Sequence, residues 1–400
     1  MTSQAADRHR AAILALAGTT GSLSRSEIAQ RLELSAATVT QLTKEMLAQG
    51  LLEELAPAPS RGGRPVQPLG LAGTAPHALG VKVTPDHLAI ADVALDGTVR
   101  EVVEHDFDPG SADAFGVLTD TLLAVAEKCE GGADSLLGVG VGVPGGVSDP
   151  GEGVVNADIL GWRGLPLGRR LRASLGLPVL VDNDVNALAV AERLYGRGRT
   201  HRDFLIVTIG VGIGAAIIAN GSVYRGAHGD AGELGHTPVD PSGPQCVCGN
   251  RGCLEAIIGD RALLAEAHGR GILAPDHGIA ELRAAADRGD TEAQEIFRDA
   301  GEILGRAVAG LVNVVDPETV VLHGEGTPAW KHWQPGFEPA LRAHLPLMRN
   351  GIPVEVDSYD DRGWVQGAAG LVMSVPVDST GTAKEQENAV RSRLLRAAVR

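Results

Sequence analysis

Three of the chain's four cysteines fall within the eight-residue run Cys246-Val247-Cys248-Gly249-Asn250-Arg251-Gly252-Cys253, and a histidine, His236, stands ten residues upstream. Three thiolates and one imidazole form a complete tetrahedral set for Zn(II). A closed set leaves no open position for a reacting water, so the expected ion is structural. Glycines at 249 and 252 let the backbone wrap closely around it. Such spacing reads as metal before disulfide in a reducing compartment. A loop tied down in this way also fixes Glu255, two residues past the last cysteine.

With 400 residues, 44% of them hydrophobic, the chain has enough apolar material for two or three cored domains. Its net charge of -15 argues against a nucleic-acid binder until it is divided at residue 75. Arg8, Arg10, Arg25, Arg31, Lys44, Arg61 and Arg64 face six acidic residues in the first segment, which is net +1, and the remainder is net -16. Any contact with a polyanion is therefore expected in the head. No apolar run reaches 18 residues, and Met1-Thr2-Ser3-Gln4 lacks a signal-peptide pattern, so a cytoplasmic protein is expected.

The head reads as helices. Ile13, Leu16 and Ala17 form one apolar stripe, Ile28, Ala29 and Leu32 a second, and Val39, Leu42, Met46 and Leu47 a third. Ser24-Arg25-Ser26-Glu27 is a capping box, Ser35 can cap the third helix, and Glu33-Leu34-Ser35 leaves room only for a tight turn. This is a helix-turn-helix pattern. Leu51 to Leu55, a Pro/Ser/Gly-rich stretch from Ala56 to Pro65, and Val66 to Leu69 read as strand, tip and return strand, a wing. Ser35, Thr38, Thr40, Gln41 and Lys44 on the third helix are candidates for base-edge or phosphate contacts. Arg61, Gly62, Gly63 and Arg64 at the wing tip set two guanidinium groups on a backbone thin enough for a minor groove.

Beyond Thr74 the texture becomes α/β. Ala94-Leu95-Asp96-Gly97-Thr98-Val99 is echoed by Ile218-Ala219-Asn220-Gly221-Ser222-Val223, each a hairpin signal following an apolar strand, around Leu79 to Val83 and Phe204 to Ile209. Two copies of one unit suggest two similar lobes with a cleft between them. Val181-Asp182-Asn183-Asp184-Val185-Asn186 closes a strand and opens a helix, with Asn183 or Asp184 as N-cap. A carboxylate at Asp184 can also accept from a sugar hydroxyl or deprotonate one. Glu233, His236 and Glu255 add polar groups suited to a polyol.

From about residue 79 to 375 the chain resembles the ROK family of repressors and sugar kinases. The matching stretches are Gly138-Val-Gly-Val-Gly-Val-Pro144-Gly145, Gly161-Trp162, Leu177-Pro178-Val179 through Asn186, Gly210-Val-Gly-Ile-Gly214, Gly232-Glu233-Leu-Gly-His236 and Cys246-x-Cys-Gly-x-x-Gly-Cys-Leu-Glu255. With the winged head in front, it is similar to the xylose-repressor branch. The resemblance implies an α/β, actin-like (ribonuclease H-like) two-lobed sugar-kinase fold behind an α+β winged helix-turn-helix domain. The expected division is a head at 1–75, a first lobe at 76–195 completed by the helix near 360–375, a second lobe at 196–359 with the zinc loop 236–253, and a tail at 376–400. It implies that Asp158, Asn183, Asp184, Glu233, His236 and Glu255 line a sugar, Asp184 at the kinase base position, with Asp158 where the family often has Asn. His236 then serves both metal and sugar.

Departures from the family pattern separate regulator from enzyme. Family kinases open the first lobe with Asp-x-Gly-Gly-Thr, whose amides approach ATP phosphates, and here the aligned stretch is Lys82-Val83-Thr84-Pro85-Asp86. Proline removes a donor, and Asp86 repels phosphate. Val211 stands for the usual threonine and His323-Gly324 for a Gly-Gly pair. The expectation is a sugar-responsive transcriptional regulator, a repressor, and not an enzyme. It binds operator DNA as a homodimer or dimer of dimers, with a sugar effector in the cleft and structural zinc. The alternative is an ATP-dependent sugar kinase with a DNA-binding head. The tail, with Val390, Leu394 and Ala397 on one stripe, is expected as a solvated helix or a disordered end.

Overall fold

Capping decides where the first elements start. In the computed structural model, which describes residues 3–56, 67–72, 76–148, 152–357, 360–376 and 384–397, the head begins with helices Ser3–Thr20, Arg25–Arg31 and Ala36–Ala48. The Ser24 side chain accepts from the Glu27 amide while the Glu27 carboxylate accepts from the Ser24 amide at 2.8 Å, a complete capping box. Ser35 accepts from the Thr38 amide at 3.1 Å, and Glu33 turns the chain with a left-handed φ of 53°. The strand Leu52–Glu54 pairs antiparallel with Leu69–Leu71. The return strand therefore starts later than the expected Val66 to Leu69. Leu69, fully buried, also bridges to Leu23, and its burial sets the register.

The chain forms two compact units, Met1–Arg199 with Asp361–Arg400, and Thr200–Asp360. In the first unit the head is no tethered module. Leu14, Ile28, Val39, Met46 and Leu69 share one core with Ala89, Val93 and Leu137 of the adjoining sheet and with Val372. The C-terminal stretch corrects the expectation of a solvated or disordered end. Its helix Lys384–Ala397 buries Val390 and Leu394 completely in that same core. Arg393 donates to the carbonyls of Leu136 (2.6 Å) and Ala133 (2.7 Å), and Arg391 to that of Val375 (3.2 Å). Two of the arginines that suggested solvation, Arg391 and Arg393, thus bond backbone acceptors, while Arg396 is exposed.

Each unit holds a five-stranded mixed sheet, and the two have one topology. In the first the order is Val179–Asn183, Leu136–Val143, His77–Val83, His87–Ala94, Val99–Asp106. In the second it is Val354–Val356, Thr319–His323, Phe204–Ile209, Ile213–Ala219, Ser222–Tyr224. In both, the first strand in sequence lies in the middle, antiparallel to its hairpin partner and parallel to the next strand after the helix. The hairpin echo in the sequence thus marks a true structural repeat, with Asn220 and Gly221 both at positive φ as a two-residue hairpin turn demands. Helix Asp361–Ser374 lies directly on the first sheet at Gly80 and Gly140, where an added Cβ would fall within 1.8 Å of a helix carbonyl oxygen. The second sheet is covered by helices Thr291–Val315 and Trp330–Ala343, whose Phe297, Trp333 and Phe337 fill its core. A separate three-stranded sheet, Gly146–Ser148, Val154–Ala157 and Trp162–Pro166, is inserted in the first unit.

Candidate effector site and metal centre

His236 ends a short 3₁₀ turn, Leu234–His236, and the cysteines follow on a loop closed by bridges between Pro238 and Cys253 and between Gln245 and Arg251. Gly252, at φ 65°, packs so tightly against the Asp240 carbonyl that no side chain fits. The four donor atoms of His236, Cys246, Cys248 and Cys253 lie within 4.8 Å of one another. His236 Nδ1 is 3.6 Å from Cys246 Sγ, and Cys248 and Cys253 Sγ are 3.7 Å apart. A tetrahedron with metal–sulfur bonds of about 2.3 Å has sulfur–sulfur edges of about 3.8 Å, so the set is already shaped for one ion. Burial pushes the Cys253 thiol up to about 12, and the neighbouring thiols push it the same way. A thiol so placed keeps its proton unless a cation offsets the charge, which suits a divalent metal. Hydrogen bonding from the Asn250 amide pulls the neighbouring Cys248 thiol down instead. The other ring nitrogen of His236 faces the Glu233 carboxylate at 3.7 Å, an outer partner for a metal-bound imidazole.

A second cluster, His77, Asp92 and Cys129, differs in kind. His77 Nδ1 meets Asp92 at 2.5 Å, its Nε2 meets Ser135 at 2.8 Å, and Arg100 holds the other Asp92 oxygen at 2.9 Å. Its charges and ring nitrogens already have protein partners, and the guanidinium competes with any ion.

The residues expected to line a sugar fall into two groups, one in each unit. In the first unit, Asp182, Asn183 and Asp184 sit where strand Val179–Asn183 passes into helix Asp184–Leu194. Asn183 is the N-cap. Its side-chain oxygen accepts from the amides of Val185 (2.9 Å) and Asn186 (3.1 Å), and its amide donates to the Gly145 carbonyl (3.0 Å). Asp184 accepts from the Val185 amide at 2.9 Å. Gly145 lies against the Asn156 backbone, which brings the Asn156 to Asp158 stretch beside this helix start. Asp158 is exposed and engaged by Arg163, whose Nε (3.2 Å) and Nη2 (3.1 Å) both donate to one carboxylate oxygen. Arg163 was absent from the expected site. Its signal was its place one residue after Gly161-Trp162, opposite an acidic substitution.

In the second unit, Glu255 opens helix Leu254–Ile258 and accepts from the Ile213 amide of the Gly210 to Gly214 loop at 3.1 Å. Burial lifts the Glu233 carboxyl above the usual range against the pull of His236, and Asp230 and Glu255 add to the rise. A carboxyl so placed can donate to a hydroxyl as well as accept from one.

The stretches that the resemblance aligns with the family's phosphate turns carry further charged groups. Lys82, which opens the stretch expected to stand for the family's first phosphate turn, is buried, pairs with Asp361 at 3.1 Å and lies 4.5 Å over the Trp364 ring. The turn after it is closed by the Thr84 hydroxyl, which donates to Asp86 and accepts from the His87 amide at 3.0 Å. The Thr84 hydroxyl, with His87, holds the Asp86 carboxyl below the usual range. In the second unit Glu325 crowds Gly210 so closely that a Cβ there would lie 2.5 Å from its carboxylate oxygen. Asp260 beside it is pushed up to about 6 by burial and then by the Glu325 charge. Two carboxylates thus flank the loop that cradles phosphate in family kinases, and Val211 on that loop is well exposed.

On helix Ala36–Ala48, Thr40, Gln41 and Lys44 lie on the exposed face, with Ser35 exposed at its cap and Thr38 half-buried beside it. Val39, Leu42, Thr43 and Met46 are buried behind them. Two head arginines are committed to ion pairs, Arg10 with Glu45 (2.5 Å) and Arg25 with Glu54 (3.2 Å). Arg61, Gly62, Gly63 and Arg64 lie outside the described residues.

Paired repeat sheets, a sugar-kinase-type helix start and a histidine–cysteine loop behind a winged head define a regulator architecture of one family. The chain belongs to the ROK family, which matches residues 78–374, and residues 6–62 match the MarR family. It is 29% identical over 375 residues to the DNA-binding transcriptional dual regulator NagC of Escherichia coli (strain K12), covering 90% of this chain and 91% of that one. It is 28% identical to the xylose repressor of Caldicellulosiruptor bescii, covering 88% and 92%. Among solved structures, a ROK family transcriptional regulator described as a homolog of E. coli MLC superposes with a TM-score of 0.79 at 26% identity, covering 99% of both chains. A ROK family glucokinase from Streptomyces griseus, in complex with glucose and AMPPNP, superposes with a TM-score of 0.65 at 27% identity. The match covers 73% of this chain and 98% of the kinase, which leaves the winged head unmatched. Among the described residues no helix is long and apolar enough to cross a membrane.

Proposed function

We propose that the protein is a sugar-responsive transcriptional repressor that binds operator DNA through its head and does not phosphorylate its sugar. The observation that carries the reading is the buried Lys82–Asp361 ion pair. It puts an ammonium group where family kinases place a carboxylate, in a chain that also presents a polar recognition-helix face. An active kinase must hold phosphates and their cation at this turn. An ammonium already neutralised by Asp361, with Glu325 and Asp260 on the other loop, serves neither. In this reading a homodimer or dimer of dimers sets half-site spacing on a pseudo-palindromic operator. The candidate sugar contacts are Asp158, Asn183 and Asp184 in the first unit and, taken separately, Glu233, His236 and Glu255 in the second. Zn(II) held by His236, Cys246, Cys248 and Cys253 fixes Glu233 and Glu255 in place and takes no part in chemistry.

Mobility shift with duplex DNA from upstream of the protein's own gene tests the regulator reading. Retardation that changes on adding xylose or N-acetylglucosamine is the expected result, and no retardation at low salt overturns it. The rival reading, a kinase with a DNA-binding head, draws on the strand-to-helix stretch around Asp184 that matches the family. A coupled assay with ATP, Mg(II) and a panel of hexoses and pentoses should give no turnover. Turnover that disappears in Asp184→Asn makes the protein a kinase.

A further inference from the structure

We infer that helix Asp184–Leu194, with the turn Tyr195 to Arg199 that ends it, carries sugar occupancy to the DNA-binding head, and that Tyr195 and Arg199 are positioning residues for this response. The inference rests on the regulator reading above.

The helix has a sugar-site carboxylate at its first residue and a grip on the head at its far end. Asn183 fixes the start through its two amide contacts, and residues Val185 to Ala191 are buried without interruption. Helix Asp361–Ser374 packs on it so closely that a Cβ at Gly367 would lie 2.2 Å from the Ala187 carbonyl. Eleven residues make a rod of roughly 16 Å. At its end the Glu192 carboxylate accepts from the Arg197 amide (3.2 Å) and guanidinium (3.3 Å), folding the chain back into a defined turn.

One side chain of that turn reaches the head directly, and a second reaches Leu95, which packs against the head. Arg199 Nη2 donates to the Thr19 carbonyl at 3.1 Å. This carbonyl is one of the unpaired acceptors at the C-terminal end of helix Ser3–Thr20, where a cation also meets the negative end of the helix dipole. The Tyr195 hydroxyl donates to the Leu95 carbonyl at 3.3 Å. The Leu95 side chain presses on the same helix at Gly18, where a Cβ would lie 2.4 Å from it. The first helix passes the constraint on through Arg10 to Glu45 on helix Ala36–Ala48, which bears Thr40, Gln41 and Lys44. A ligand at Asp184 that prefers one placement of the rod thus biases the aim of the recognition helix, which is all that linkage requires.

The test uses the full-length protein, operator duplex from upstream of its gene, and xylose or N-acetylglucosamine as probe. Wild type should show a sugar-dependent change in DNA affinity, by about 5- to 150-fold if its coupling is typical. In Tyr195→Phe/Arg199→Ala that change should fall below about twofold, while sugar affinity by calorimetry and sugar-free DNA affinity each stay within about threefold of wild type. Arg199→Lys, which keeps a cation within reach of Thr19, should restore most of the response. A double variant with the full wild-type response overturns the inference and leaves the regulator reading standing. So does one whose lost response is explained by lost sugar affinity. A wild type that binds DNA but answers neither sugar nor any other in a thermal-shift panel overturns the regulator reading, and this inference with it.

Discussion

The two five-stranded sheets share one strand order and differ in what has been fastened to them. The first sheet's core runs on into the winged head and the last helix of the chain. The second sheet's unit carries instead a four-donor loop between its hairpin and its helices. The repeat supplies a frame, and the attachments supply the job. Both units have apolar cores, but the first extends its core into the winged head, while the second carries the four-donor loop beside Glu233 and Glu255. The turn after strand His77–Val83 holds a buried ammonium paired with Asp361, and the loop at Gly210 has the Glu325 and Asp260 carboxylates beside it.

The largest expected effect tests the asymmetry in metal. Cys253→Ser should reduce bound zinc from one ion per chain to none by mass spectrometry and lower the melting temperature of the second unit. Structural zinc binding is worth about 10–16 kcal/mol in small fingers, so even partial coupling to folding makes this loss dominant. Hydrogen exchange should rise along Thr237 to Leu254 and stay unchanged in strands His77–Val83 and Leu136–Val143. Equal loosening of both sheets would remove the distinction drawn between the units.

Next comes the apolar attachment. Leu394→Ala should cost about 2–5 kcal/mol in urea unfolding, because a fully buried leucine is deleted from the core shared by tail, head and sheet. A cost near that of a surface substitution would return the last helix to solvent.

The smallest effect concerns the second unit's carboxylates. Asp260 has its folded-state value raised to about 6, above an unfolded value of about 3.9. The folded unit therefore binds the extra proton, and the stability this gives is present below about pH 4 and lost as pH rises through about 6. Above that, the buried charge costs on the order of 2–3 kcal/mol. Asp260→Asn should melt higher than wild type at pH 7.5 and match it at pH 4. Equal melting at both pH values would mean that neither burial nor the Glu325 charge penalises the Asp260 carboxylate.

Much of the fold was legible because its signals are local. Capping at Ser24 and Ser35, the Asn220-Gly221 turn and the periodicity of Val39, Leu42 and Met46 each involve residues within a few positions of one another. The cysteine loop was equally readable, since the donors lie within eighteen residues. Arg393 was not. Its acceptors are carbonyls more than 250 positions away, and an arginine stripe reads as solvated until such acceptors exist. Asn183 shows the same limit at a site, because cap and sugar ligand are both consistent with its sequence context. Its two cap bonds and its bond to Gly145, 38 positions away, became visible only in the folded chain.

The sequence by itself indicated the winged head, the doubled α/β unit, the four-donor histidine–cysteine set and the unusual Lys82 to Asp86 turn, since spacing and residue chemistry suffice for each. Only the tertiary structure decided where Lys82 finds its counter-ion, that Glu325 and Asp260 crowd the second phosphate loop, and that the last helix and Arg199 hold the head. Lys82, Glu325 and Asp260 meet groups brought together only by the packing of a whole unit. Arg199 and Arg393 find backbone carbonyls left without partners once the sheets and helices have formed, so no local pattern encodes either kind of contact.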